Sequence, residues 1–260
     1  MAVSLLIKTY SSSVAKRVSG LIAQHQEDSW LHERHEQVYQ ICDELIKNAV
    51  KSNYKFLLLW LATRKRVMDE FPDFSIDDAD EWLKEIFFCG ENVIIQKQLD
   101  KIPNWERIQV SVRKILDLEN ELLKHKRGDK EQETESLFSE FSPLLKIKRL
   151  ARQLDISIHF RIERSVDQVL VTVTNDAPIL EEDVNRIDQV RAKFRAYYDR
   201  GEPHAFFIEN MDTSGGGHGL GYALMDSMLL DMGLQPDHSL YLVSAGRTMV
   251  LLALPLKQPE

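Results

Sequence analysis

The stretch Ile156–Thr174, ISIHFRIERSVDQVLVTVT, decides the fold class of this chain. Apolar and polar side chains alternate along ISIHFRIE and again along VLVTVT, and this period of two is typical of half-buried strands. Only Arg164–Gln168 separates the two runs. We therefore predict an antiparallel hairpin at this point of the chain.

Mainly helical patterns surround this hairpin. The clearest helix spans Glu36–Val50, where apolar residues recur at helical spacing. Further helices are predicted at Phe56–Met68, Asp77–Phe88, Ile108–Lys126, Ser136–Leu154, Glu181–Tyr198 and Tyr222–Met232. Strands are predicted at Ser4–Tyr10 and in a closing hairpin of Ser239–Ser244 and Thr248–Leu256. This order predicts an α+β fold, a two-layer sandwich of a mainly antiparallel sheet with helices on one face.

The composition narrows the classes of function. Hydrophobic residues make up 43% of the 260 residues, which is enough for a substantial core. The net charge of −8 is spread along the chain, without the basic concentration expected of a nucleic-acid-binding protein. The longest apolar run, Phe56–Ala62, is shorter than the about 20 residues that a membrane span needs. We expect a cytoplasmic protein with no nucleic-acid or membrane partner, in which Cys42 is a buried, inert thiol.

A polar face runs along the predicted Glu36–Val50 helix and just beyond it. At about 100° per residue, Glu44, Asn48 and Lys51 fall on one stripe, away from the apolar side. A carboxylate, an amide and an ammonium group spaced in this way suit a water, a magnesium ion and a phosphate. Taken alone, the stripe is more typical of a solvated helix face.

Five of the eleven glycines lie in Gly215–Gly221, directly before the Tyr222–Met232 helix. Glycines let backbone N–H groups approach an anion closely, and a helix N-terminus adds a positive partial charge. This clustering favours a phosphate-binding loop over a flexible turn. The pattern is neither a Walker loop nor a Rossmann fingerprint, and the role of His218 within it stays open.

A third polar feature follows the first hairpin. The segment Val171–Ile179, VTVTNDAPI, ends a strand in Asn175 and Asp176 before a turn that contains Pro178. Either side chain is able to accept a hydrogen bond from a base amino group. Taken alone, such residues more often cap a turn.

The order of these features resembles the histidine kinase-like ATPase superfamily, whose members include sensor kinases, gyrase, mismatch-repair ATPases, heat-shock chaperones and mitochondrial dehydrogenase kinases. Glu44–Lys51, ELIKNAVK, is similar to the N box of that family, and Gly217–Gly221, GHGLG, is similar to its second glycine box. Val173–Ile179 resembles an altered first glycine box, and Gly246-Arg-Thr248 resembles the last box.

The resemblance implies a Bergerat-type ATP-binding domain formed by residues 1–55 and 150–260, and a mainly helical insertion at 56–149. That insertion is interpreted as a helical subdomain or a homodimerisation surface. The expected ligands are ATP or ADP and Mg²⁺, and the expected partner is a protein or phosphoacceptor.

The resemblance also implies roles for individual residues. Asn48 would coordinate Mg²⁺, Lys51 would contact a phosphate oxygen, and Glu44 would be the catalytic base that orients water. The loop residues would hold the triphosphate, and Thr248 would lie near the adenine. The loop set is Gly217, His218, Gly219, Leu220 and Gly221.

The chain departs from the family at the base-binding turn. The usual Asp-x-Gly-x-Gly has become Asn175-Asp176-Ala-Pro, so the choice between Asn175 and Asp176 stays open. No separate phosphoacceptor hairpin precedes Glu44, and His32 and His35 are better interpreted as part of a charged face. The leading hypothesis is an ATP-dependent phosphotransferase or ATPase in signal transduction. The alternative is a non-catalytic ATP-binding module whose nucleotide state switches a helical surface.

Overall fold

The computed structural model describes residues 2–89, 94–95, 97, 105–125, 139–210, 220–244 and 247–258. The chain divides into two compact units. The first unit contains residues 1–49, 158–175 and 179–260, and the second contains residues 50–157 and 176–178.

The first unit is built on a five-stranded antiparallel sheet in the order β1-β2-β3-β5-β4. The strands are β1 (Ala2–Ile7), β2 (Ile158–Arg164), β3 (Gln168–Asn175), β4 (Leu240–Ser244) and β5 (Thr248–Pro255). Both predicted hairpins are present, β2 with β3 and β4 with β5. The α+β class with an open antiparallel sheet is therefore confirmed.

Alternation along the strands gives the sheet one buried face. Every second residue of β3 and β5 is buried, and the rest are half-buried. The buried rows are almost entirely apolar, as expected for a sheet face packed against a core. They contain Ile158, Phe160, Ile162, Val169, Val171, Val173, Val250, Leu252 and Leu254.

The helices of the first unit begin and end at residues suited to those positions. They are α1 (Ser12–Gln26), the first part of α2 (His35–Glu70), α6 (Glu181–Tyr198), α7 (Pro203–Asn210), α8 (Leu220–Asp231) and the short α9 (Pro236–Ser239). The Ser11 side chain caps α1 by accepting a hydrogen bond from the Val14 N–H. Gly233 follows α8 with a φ of 76°, a left-handed conformation that glycine adopts without strain.

The described part of the second unit is mainly helical. It contains the rest of α2, then α3 (Ile76–Lys84) with a π-helical turn at Glu85–Cys89, α4 (Trp105–His125) and α5 (Ser142–Gln153). A capping box between Ser75 and Asp78 begins α3. Aromatic side chains of α2 and the π-helical turn pack together, with the Phe56 and Phe87 ring centroids 5.4 Å apart.

Some predicted boundaries were wrong. The predicted helices Glu36–Val50 and Phe56–Met68 form one helix, α2, because no glycine or proline interrupts residues 35–70. The first strand spans Ala2–Ile7 rather than Ser4–Tyr10, although Leu5 and Ile7 are buried as the alternation implied. Cys42 is fully buried, as predicted, and burial raises the pKa of its thiol to about 12.

In the described part of the chain, no helix combines the length and apolar character needed to cross a membrane.

Candidate functional site

Helix α2 presents the predicted polar face in its first half. Glu44 and Asn48 are half-buried, one helical turn apart, whereas Leu45 and Ala49 beside them are buried. Lys51 lies one turn further along α2, is exposed, and belongs to the second unit. The stripe is therefore partly shielded at Glu44 and Asn48, unlike a fully solvated helix face.

The first turn of α8 lies directly against this face. A Cβ atom added to Gly221 would overlap Glu44 Oε1 and would lie 3.1 Å from Asn48 Nδ2. Only a residue without a side chain fits at Gly221 while Glu44 keeps its position. The structure thus brings together the Glu44–Lys51 motif and the end of the glycine-rich stretch, which are far apart in sequence.

The electrostatics of this contact follow from the start of α8. Its first turn contains no acidic residue, so the positive end of the helix lacks an acidic side chain of its own. The Glu44 carboxylate lies beside that end of the helix. Two explanations of the contact are possible. Glu44 either stabilises the α8 N-terminus as a structural counter-charge, or it is held there for chemistry on a ligand.

Tyr222 is a buried neighbour that the sequence reasoning did not assign to the site. Burial raises the pKa of its hydroxyl to about 12, with opposing effects from Arg191 and from the charges of Asp226 and Glu44. The Glu44 carboxylate is therefore close enough to act on Tyr222 electrostatically. The signal available in the sequence was the position of Tyr222 directly after Gly221.

A buried ion pair fixes α8 against α6. Arg191 donates to both carboxylate oxygens of Asp226, from Nε at 2.8 Å and from Nη2 at 3.0 Å. Arg191 also donates to the Leu240 carbonyl at the start of β4, at 3.5 Å. Since removal of one partner from a buried pair leaves an uncompensated charge, this pair helps to hold α8 in place.

Two polar residues, Asn175 and Thr248, lie at one end of the buried rows of the sheet. They are direct partners across the β3–β5 ladder, and they are 2% and 7% exposed. Facing residues of antiparallel strands project to the same side of the sheet. An amide and a hydroxyl therefore sit side by side where the apolar rows end.

Asp176 has a different environment. Its Oδ2 accepts hydrogen bonds from the Ser157 backbone N–H at 3.0 Å and from the Ser157 hydroxyl at 2.6 Å. Its own N–H donates to the Ser157 carbonyl at 3.2 Å. These reciprocal bonds engage one carboxylate oxygen of Asp176 in local structure.

Only part of the predicted glycine-rich loop lies within the described residues. Leu220 begins α8 and packs against an aromatic cluster that includes Phe194 and Phe206. Gly217, His218, Gly219 and Gly246 lie outside the described residues.

His35 is engaged in structural hydrogen bonds. One ring nitrogen lies 3.1 Å from the Ser19 hydroxyl and the other lies 3.1 Å from Gln26 Oε1. His35 is therefore a half-buried, hydrogen-bonded residue. His32 is exposed, as its interpretation as part of a charged face requires.

The side chains at the contact of α2 with α8 suit a Mg²⁺ ion bound together with a nucleotide better than a metal ion held by protein ligands alone. Among the described ranges, no cluster of three or more His, Cys, Asp or Glu side chains could hold a metal ion. Mg²⁺ usually takes one or two protein oxygens and completes its shell with water and phosphate oxygens. Asn48 offers a hard amide oxygen, and the room that Gly221 leaves at the start of α8 is taken by the Glu44 carboxylate.

No protein-family model, curated protein or solved structure matches this chain.

Proposed function

We propose that this chain binds Mg-ATP in its first unit and is a histidine kinase-like ATPase with a Bergerat-type nucleotide-binding fold. The observation that carries the proposal is the contact of Gly221 with Glu44 and Asn48. Two sequence motifs with complementary chemistry, an oxygen-donor face and a glycine-rich helix start, meet at this point. A scaffold without a ligand accounts for Glu44 as a counter-charge to the α8 N-terminus, but not for the glycine-rich segment before that helix.

Each residue at the contact has a distinct task in the proposal. The N–H groups at the start of α8, beginning at Leu220, donate hydrogen bonds to phosphate oxygens. Asn48 supplies an amide oxygen to the ion that accompanies the nucleotide. Glu44 accepts a hydrogen bond from the attacking water or hydroxyl group and so orients it. Glu44 then takes the proton of that group as it attacks. When bound, Mg²⁺ would neutralise charge that develops on the phosphate oxygens.

The end of β3 and the start of β5 form the proposed binding site for the adenine base. Asn175 and Thr248 are adjacent and buried, and both carry groups able to donate and accept hydrogen bonds. We favour Asn175 over Asp176 for the base because Asn175 lies directly opposite Thr248 across the β3–β5 ladder. Because a carboxamide both donates and accepts, Asn175 suits the amino group and the neighbouring ring nitrogen of adenine.

The proposed activity is transfer of the terminal phosphoryl group to a protein partner or to water. The alternative, a non-catalytic ATP switch, gains some support from the altered Asn175-Asp176-Ala-Pro turn. The presence of Glu44 beside Asn48 favours turnover, because a binding-only site has no need of a base.

Isothermal titration of the protein with Mg-ATP tests binding. We expect saturable binding that weakens at least about tenfold in Asn48→Ala, the effect of losing one well-placed ligand. The matched control is Asn185→Ala, the same change at an exposed position of α6, which leaves binding unchanged. No binding to the wild-type protein, or equal binding to both variants, would overturn the proposal.

Product analysis after incubation with Mg-ATP separates the activities. ADP with free phosphate indicates an ATPase, and acid-labile protein phosphate indicates a histidine kinase. Tight binding without either product would instead assign the switch function.

A further inference from the structure

An acidic and partly apolar corner joins α2 to α3 in the second unit. Within Asp69–Glu81, seven of the thirteen residues are acidic and none is basic. Glu70 pairs with Arg66 and Asp80 pairs with Arg64. The exposed carboxylates that lie outside those pairs and the capping box are Asp69, Asp73, Asp77 and Glu81. We call this segment the acidic corner.

The acidic corner also exposes large apolar side chains. Phe71 is 47% exposed and Ile76 is 53% exposed. The Phe71 and Phe74 rings stack with centroids 5.2 Å apart, so the two rings form one apolar cluster. A small apolar surface ringed by charges of one sign is typical of an interaction site.

Helix α5, in the same unit, has the opposite character. Its twelve residues include four basic side chains and no acidic one. Lys148 pairs with Glu119, whereas Lys146, Arg149 and Arg152 are exposed. Leu145 is 38% exposed, and at about 100° per residue it shares a helix face with Arg149 and Arg152. We call Leu145, Lys146, Arg149 and Arg152 the basic face.

We propose that the chain forms a homodimer in which the basic face of each copy docks on the acidic corner of the other. The two surfaces are complementary in both charge and apolar content, and both are present in every copy. In a two-fold dimer each copy contributes both surfaces, so the contact forms twice.

The charges of the acidic corner and the basic face favour a second copy of this chain as the partner that docks on them. Opposite charges attract the two copies in the orientation that pairs unlike surfaces, and they repel arrangements that pair like surfaces. The chain as a whole is acidic, with a net charge of −8, so overall charge repulsion opposes association of two copies. Dimerisation is therefore expected to depend strongly on ionic strength.

Sedimentation velocity of the full chain tests this proposal without any nucleotide. We expect a monomer–dimer equilibrium whose dissociation constant rises about tenfold between about 50 mM and about 500 mM NaCl. This measurement is independent of ATP binding, so failure of the dimer and failure of the proposed function are distinguishable.

Charge reversal gives the sharper test. We expect Asp69→Lys/Asp73→Lys and, separately, Lys146→Glu/Arg149→Glu to sediment as monomers. Mixed in equal amounts, the two variants are expected to form a heterodimer, because one contact pairs the two unchanged surfaces and the other pairs the two reversed surfaces. The matched control is Asp188→Lys/Asp231→Lys, which changes the same charge at exposed positions of α6 and α8.

Circular dichroism and thermal unfolding of each variant confirm that the fold is retained. A wild-type monomer at all concentrations, a dimer that both reversals leave intact, or a mixture that stays monomeric would each overturn the proposal. Binding of a Lys- and Arg-rich peptide with one Phe to a monomeric wild-type protein would assign the acidic corner to a different partner, and so would also overturn it.

Discussion

The candidate site consists of two regions that are built in different ways. In the helix region, Gly221 of α8 meets Glu44 and Asn48 of α2, so the geometry depends on side chains from distant parts of the sequence. In the strand region, Asn175 and Thr248 are neighbours because the β3–β5 register makes them so. Backbone hydrogen bonds of the β3–β5 ladder bring Asn175 beside Thr248. The close approach of Gly221 to Glu44 depends instead on the absence of a Cβ atom at residue 221. Small substitutions should therefore affect function far more in the helix region.

Glu44→Gln tests the helix region most strongly. Since glutamine keeps the size of the side chain but cannot act as a base, we expect turnover to fall by about 10²–10³-fold with ATP binding retained. If Glu44 only balances the α8 N-terminus, the change instead costs about 0.3–1 kcal/mol of unfolding free energy and leaves turnover unaffected. Steady-state ATP hydrolysis and denaturant unfolding separate the two explanations.

Gly221→Ala tests the steric part of the same contact. The added Cβ displaces the flexible end of Glu44 rather than backbone, so the unfolding free energy should change by less than about 1 kcal/mol. Because Glu44 moves, turnover should fall about 10–100-fold.

Gly20→Ala on α1 provides the control for that substitution. Nothing lies within 4 Å of a Cβ added there, and the helix should gain about 0.5–1 kcal/mol of stability. Equal turnover in Gly221→Ala and the wild-type protein would exclude a close role for Gly221.

Thr248→Val tests the strand region. Valine keeps the shape and the strand preference of threonine but removes the hydroxyl, so ATP affinity should fall about tenfold or less. Thr172→Val, on the other face of β3, should leave affinity unchanged. Titration calorimetry of both variants gives the comparison, and an equal effect of the two would argue against base binding beside Asn175.

Tyr222→Phe tests the pH dependence of stability and not function. Burial raises the folded-state pKa of Tyr222 to about 12, whereas the unfolded hydroxyl titrates near 10. Between about pH 10 and 12 the folded state holds more protons than the unfolded state, so stability falls as pH rises, by about 3 kcal/mol in total. The phenylalanine variant lacks this loss. Urea unfolding of both proteins at several alkaline pH values measures how the free energy of unfolding changes with pH. An equal change in the two proteins would contradict a raised pKa of Tyr222.

Local patterns predicted the elements of this fold well, and partners distant in sequence explain what they missed. Alternation predicted both hairpins because burial of one sheet face imposes a period of two. On α8, Leu224 is 42% exposed whereas the charged residue Asp226 is buried. The partner that permits burial of Asp226 is Arg191 on α6, and no local pattern reveals that pairing.

The motifs selected the candidate site residues but did not reveal the contacts between them. Glu44 and Asn48 were chosen for their spacing on one helix, and that spacing holds in α2. The closeness of Gly221 depends on tertiary packing, so it was expected only through the resemblance to a family. The hydrogen bonds between Asp176 and Ser157 depend on the path of the chain into β2, which no local pattern reveals.

Hydrogen–deuterium exchange with and without Mg-ATP tests the central claim most directly, because it locates a ligand on the chain. Binding at the helix and strand regions predicts added protection in peptides that cover residues 41–48, 220–226, 173–175 and 247–250, and the protection should be absent in Asn48→Ala. Protection confined to other peptides, or no change at saturating Mg-ATP, would contradict the account.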